Sequence, residues 1–178
     1  MGIFFDKCPT KNIVGVTGTN GKGTTDTLIS EILRASGKSV YLAGNIGEEV
    51  LPLLEILSSD DWVVLELSSY QLRDLKSSPY IAVVLNITVD HLNIHGSFGK
   101  YVESKTNILR YQELGDLAVI NGDYPITRDL AKLAKAQVVY FSKRDFEDSG
   151  YKLLIPGEHN KENASAAMAV AKILSIDG

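Results

Sequence analysis

A single cysteine, Cys8, occurs in the 178 residues, so no internal disulfide can form. That fits a reducing cytosol. Runs of basic residues are missing too. Lys and Arg number 18 against 22 Asp and Glu, a formal charge of −4, which argues against a nucleic-acid partner. No apolar run reaches the ~20 residues of a membrane span. Met1–Lys7 lacks the layout of a signal peptide. A cytoplasmic monomer without nucleic-acid or membrane partners is expected. Repeats and low-complexity linkers are absent, and the length suits one domain with a substantial core.

What is present is an alternation of short apolar runs and amphipathic stretches. Ile13–Val16, Val40–Ala43, Trp62–Leu67, Ile81–Ile87, Leu117–Ile120 and Val138–Phe141 read as strands. They are continuous rather than alternating, as strands covered on both faces of a parallel sheet must be. Helices are expected over Asp26–Ala35, Gly47–Leu57, Ser97–Gln112, Tyr124–Ala134 and Glu158–Ile173. Leu28, Ile29, Ile32 and Leu33 form one face of the first, and Gly37 is its expected C-cap. The fold class is therefore α/β, a mostly parallel central sheet flanked by helices. Ser142–Gly150 reads as a flexible loop and Tyr151–Ile155 as an extra edge strand.

The segment Gly18-Thr19-Asn20-Gly21-Lys22-Gly23-Thr24-Thr25 joins the first strand to the first long helix. Glycines let backbone approach an anion, and a helix start offers unpaired N–H groups and a favourable dipole. Lys22 adds a full positive charge. The expected ligand is a nucleoside triphosphate, with a hydroxyl of Thr24 or Thr25 for magnesium. The spacing G-x-x-G-K-G-T departs from the common G-x-x-x-x-G-K-[ST] pattern, because Gly23 stands where a hydroxyl usually follows the lysine.

Other polar residues fall at the ends of strands. Gly44-Asn45 follows the second strand, and Glu66, Ser68 and Ser69 end the third. Asp90 and His91 follow the fourth, and Asn121-Gly122-Asp123 the fifth. The carboxyl edge of an open parallel sheet is where ligands bind. Glu66 is a reasonable magnesium ligand there. His91 alone reads as either a ligand or a surface histidine, and His95 as structural or exposed. By spacing alone Lys105, four residues after Tyr101, is an ordinary solvated lysine. Asn160 and Asn163 share a helix face and read as capping or surface amides.

Taken together, GTNGKGTT (18–25), GNIG (44–47), ELSSYQL (66–72), NITVDHLNIHGSFGKYVESK (86–105) and GEHNKEN (157–163) resemble the Mur ligase family of ATP-dependent amide-forming enzymes. The likeness runs from about residue 12 to 175. GNIG and ELSSYQL point to the branch that adds D-glutamate to UDP-N-acetylmuramoyl-L-alanine, rather than to other Mur or folylpolyglutamate ligases. The resemblance implies a P-loop, Rossmann-like middle domain over residues 12–178, with residues 1–11 an N-terminal extension or remnant and the two outer domains absent. It implies that Gly18–Thr25 hold the ATP phosphates, with Lys22 at the β- and γ-phosphates and Thr24 on magnesium. Glu66 would serve a first magnesium and His91 a second. Lys105 would carry a carbamate formed with carbon dioxide. Asn45, Ser68, His91 and Tyr101 would lie at the precursor, and Asn160 and Asn163 near the adenine. The implied reaction passes through an acyl phosphate that the amino acid then attacks, and the chain alone is expected to bind Mg-ATP without ligating. Asn93 and Ile94 depart from the Asp-Arg usual after the histidine segment. A module that binds nucleotide without chemistry of its own is the competing reading.

Overall fold

The computed structural model describes residues 1–88 and 97–176. Every expected apolar run forms a strand: β1 Ile13–Thr17, β2 Val40–Gly44, β3 Trp62–Glu66, β4 Ile81–Val84, β5 Leu117–Asn121 and β6 Gln137–Phe141. They build one sheet in the order β2-β3-β1-β4-β5-β6. Each neighbouring pair is parallel. Among the described residues the helices are α1 Gly2–Lys7, α2 Lys22–Ala35, α3 Val50–Leu53, α4 Ser69–Arg73, α5 Phe98–Arg110, α6 Pro125–Ala131, α7 Lys143–Asp148 and α8 His159–Ile173.

Successive strand residues point to opposite faces, and both faces are covered, which is why the runs are continuous. Ile13, Val63, Leu65, Ala82 and Val84 pack on one side with Phe4 of α1, Leu53 of α3, Leu72 of α4, Ile108 of α5 and Leu130 of α6. Val14, Val16, Val64, Ile81 and Val83 pack on the other with Ile29 and Leu33 of α2 and Ala166, Ala167 and Val170 of α8. The alanines of α8 let it lie close along α2. Gly37 closes α2 as expected. Its φ is +83°, and Lys38 N–H reaches back to Leu33 O at 3.1 Å.

The structure departs from the sequence reading at several places. Only Val50–Leu53 of the stretch Gly47–Leu57 is helical. The chain before it is held to β2 by Glu48 N–H on Leu42 O at 2.9 Å, with Gly47 at φ +77°. The fourth strand ends at Val84 instead of Ile87, because the residues beyond it turn to the glycine loop: Leu85 N–H bonds Thr17 O at 2.9 Å, and Asn86 O accepts from Thr19 N–H at 2.7 Å. Within Ser142–Gly150 lies the helix α7, opened by a capping box between Ser142 and Asp145. Tyr151–Ile155 forms no strand, and β6 is the sheet edge. Tyr151 and Leu153 instead line an apolar groove with Leu28 and Ile32 of α2 and Met168 of α8. Residues 1–11, read as an extension, carry α1 and bury Phe4 completely in the core. No helix among the described residues is long and apolar enough to cross a membrane.

Candidate nucleotide-binding site

The first helical turn of α2 begins at Lys22, four residues earlier than its apolar periodicity suggests. Lys22, Gly23 and Thr24 therefore form a helix N-terminus, where N–H groups lack intrahelical partners. The first ladder bond is Thr25 N–H to Gly21 O at 2.9 Å. Gly21 caps the helix at φ +87°, and a Cβ there would sit 2.1 Å from Asn163 Oδ1. Asn163 of α8 thus presses on the loop and specifies glycine at position 21. Asn160 lies beside it, its Oδ1 accepting from Asn163 Nδ2 at 2.9 Å and its own amide donating to Pro156 O at 2.7 Å. Both asparagines are buried, not surface or capping amides, because α8 lies along α2 and brings Asn163 against Gly21.

The other side of the loop is tied to the segment after β4. Asn86 Oδ1 accepts from Asn20 N–H at 3.1 Å and Asn86 Nδ2 donates to Asn20 O at 3.2 Å. Thr19 Oγ1 accepts from Thr88 N–H at 3.0 Å and lies 3.1 Å from the Tyr101 hydroxyl. A loop held from both sides is preorganised, which lowers the ordering cost of binding.

Two lysines converge on one carbonyl. Gly18 O accepts from Lys22 Nζ at 3.2 Å and from Lys105 Nζ at 2.9 Å. Lys22 also donates to Thr19 O at 3.2 Å. Lys105 also donates to Thr17 Oγ1 at 3.2 Å and sits 4.8 Å from the Tyr101 ring centroid. Lys105 is only 2% exposed, the opposite of the solvated lysine its spacing suggests. Its burial is tolerated because carbonyl, hydroxyl and aromatic face surround the ammonium. Tyr101, 1% exposed, forms part of the floor below the loop.

Glu66, buried at the end of β3, is next to the loop: its Oε2 lies 3.3 Å from where a Gly23 Cβ would stand. Asn45 holds Glu66 twice, through Nδ2 on Oε1 and its backbone N–H on Glu66 O, each 3.1 Å. In this structure Asn45 is the orienter of the carboxylate. Ser68 is the N-cap of α4. Its hydroxyl accepts from Gln71 N–H at 3.3 Å, and Gln71 Oε1 accepts from Ser68 N–H at 2.9 Å. Ser68→Ala is expected to cost about 1 kcal/mol by loss of this cap, read as a lower urea midpoint. His91, with Asp90 and His95, lies outside the described residues.

Asp26 escaped the sequence reading. It is 0% exposed, and burial first and the Glu66 charge second push its carboxyl well above the usual range, against the pull of Lys22. The signal was present: Asp26 stands three and seven residues before Ile29 and Leu33, on the buried stripe of α2.

A hard divalent cation fits the all-oxygen donor set of Glu66 and Thr24. No group of three or more His, Cys, Asp or Glu side chains gathers among the described residues. Magnesium on nucleotides commonly completes its shell with phosphate oxygens and water.

An anion-ready helix start after β1, with a carboxylate on adjacent β3 at the same sheet edge, places the chain in the P-loop class of α/β phosphate-binding domains. Within that class the chain belongs to the Mur ligase middle domain family, whose model matches residues 16–152. It is 42% identical over 191 residues to a UDP-N-acetylmuramoylalanine--D-glutamate ligase of Acetivibrio thermocellus, covering 95% of this chain and 41% of that protein. The enzyme of the same name from Symbiobacterium thermophilum is 39% identical over 193 residues, covering 95% of this chain and 42% of that protein. A crystal structure of a MurF ligase from Thermotoga maritima in complex with ADP superposes with a TM-score of 0.72 at 23% identity, over 93% of this chain and 46% of that one. The chain thus spans about two fifths of the curated relatives it matches.

Proposed function

We propose that this chain is the ATP-binding part of a ligase that joins D-glutamate to UDP-N-acetylmuramoyl-L-alanine. The observation that supports it most is the loop itself: a left-handed Gly21, a helix opening at Lys22 and Glu66 beside Gly23. The approximately 40% identity to D-glutamate ligases supports the substrate class.

In this reading the N–H groups of the first turn of α2 hold the phosphates. Lys22 leaves Gly18 O and Thr19 O for the β- and γ-phosphate oxygens, and Lys105 keeps Gly18 O satisfied when it does. Thr24 and Glu66 hold magnesium, which offsets charge on the transferring phosphoryl group. A second magnesium falls to His91. Asn45 fixes Glu66 at the cation and meets the precursor together with Tyr101 and Ser68. Asn160 and Asn163 border the loop on the side proposed for the adenine. Lys105 is the proposed site of carbamylation, which converts an amine to an anionic oxygen ligand. Its present partners, Thr17 Oγ1 and Gly18 O, lie at the base of the loop. Positioning and exclusion of water by the remaining length of the enzyme supply the rest of catalysis, so the chain alone binds Mg-ATP and does not ligate.

The test grafts this chain into the matching stretch of the Acetivibrio thermocellus ligase. The graft is expected to release phosphate from Mg-ATP only when both UDP-N-acetylmuramoyl-L-alanine and D-glutamate are present. A folded graft that binds Mg-ATP yet releases phosphate equally without the precursor, or never, would contradict the reading.

A further inference from the structure

Gly23 leaves a gap in the cation's donor set, and the structure offers a replacement one turn along α2. A Cβ at Gly23 would meet Glu66 Oε2 and Ile46 Cδ1, each at 3.3 Å, so a hydroxyl at this position would touch the Glu66 carboxylate. There is none. Three residues on, and four after Lys22, is Asp26, on the same side of the helix by the helical repeat. Its side chain is fully buried, and neither carboxylate oxygen has a hydrogen-bond partner. Native structures rarely leave such atoms unpaired, and an orphaned pair of carboxylate oxygens calls for a ligand. Glu66 and Lys22 are the charged groups that act on Asp26.

We propose that Asp26 supplies, with Glu66, the second protein carboxylate for the divalent cation, taking the place of the hydroxyl that Gly23 cannot provide. This rests on the nucleotide-site reading above. Magnesium is commonly held by one or two carboxylates plus substrate phosphates, so a carboxylate pair suits it. The neighbouring buried hydroxyls of Thr25 and Ser30 also have no hydrogen-bond partner, which leaves the surroundings of Asp26 rich in oxygen donors.

Two titrations separate this claim from the reading it rests on, both followed by the electron paramagnetic resonance of free Mn2+. Mn2+ alone reports the carboxylate pair. Mn2+ with a non-hydrolysable ATP analogue reports the complete site. Asp26→Asn is expected to weaken Mn2+ about tenfold or more in both. Adding Gly23→Ser to that variant should restore most of the loss in the presence of the analogue, a rescue that a structural role for Asp26 would not produce. If the unmodified chain fails to bind the analogue, the nucleotide reading falls, while the titration with Mn2+ alone still decides the role of Asp26. A folded Asp26→Asn protein that binds Mn2+ within twofold of the parent, whatever its melting temperature, overturns the proposal.

Discussion

Lys22→Ala should lower affinity for Mg-ATP by about a hundredfold, or about 3 kcal/mol, the scale of charge-assisted hydrogen bonds to phosphate. The ammonium is poised for that exchange. Its two present partners, Gly18 O and Thr19 O at 3.2 Å, are loop carbonyls, and Gly18 O retains Lys105 at 2.9 Å when Lys22 moves away. Removing the side chain therefore strands no buried acceptor at Gly18. The fold should survive, with a urea midpoint close to that of the parent. Calorimetric titration of both proteins checks this. Equal affinity would mean that phosphates do not reach Lys22.

Gly44→Ala should destabilise the fold by about 3 kcal/mol or more, the range for a strained backbone combined with overpacking. Gly44 ends β2 at φ +108°, where a side chain is strained. The added Cβ would stand 2.4 Å from Glu66 O and 3.1 Å from Glu66 N, and both are main-chain atoms in the sheet that cannot swing aside. The damage also reaches the site. Asn45 N–H bonds the same Glu66 O at 3.1 Å, so the carboxylate and its orienter are displaced together. Urea denaturation should show the loss of stability, and surviving folded protein should bind Mg-ATP more weakly. Gly37→Ala is the natural comparison: φ is +83° there too, but nothing lies within 4 Å of the added Cβ. Its cost should be only about 1 kcal/mol. Equal losses at the two positions would mean that the clash with Glu66 is not the cause.

The sheet was legible because burial on both faces leaves a plain mark: Val63-Val64-Leu65 and Ile81–Val84 have no polar residue to mislead. The glycine loop was legible because its chemistry is local, with glycine, lysine and hydroxyls adjacent in sequence. What stayed hidden depends on distant partners. The burial of Lys105 follows from contacts with Thr17 and Gly18, 88 and 87 residues away, which spacing on one helix cannot report. Asn163 likewise reads as a surface amide until α8 is docked on Gly21. Charge misled the reading of Ser142–Gly150, where the capping-box pair Ser142 and Asp145 was in view. The capping role of Ser68 was in view as well, announced by Gln71 three residues later.

The most direct measurement is calorimetric titration of the 178-residue chain with Mg-ADP. The account predicts one site per chain, lost or strongly weakened in Lys22→Ala. A folded chain that takes up no nucleotide, or takes it up unchanged without Lys22, would contradict the claim that this loop is a phosphate-binding site.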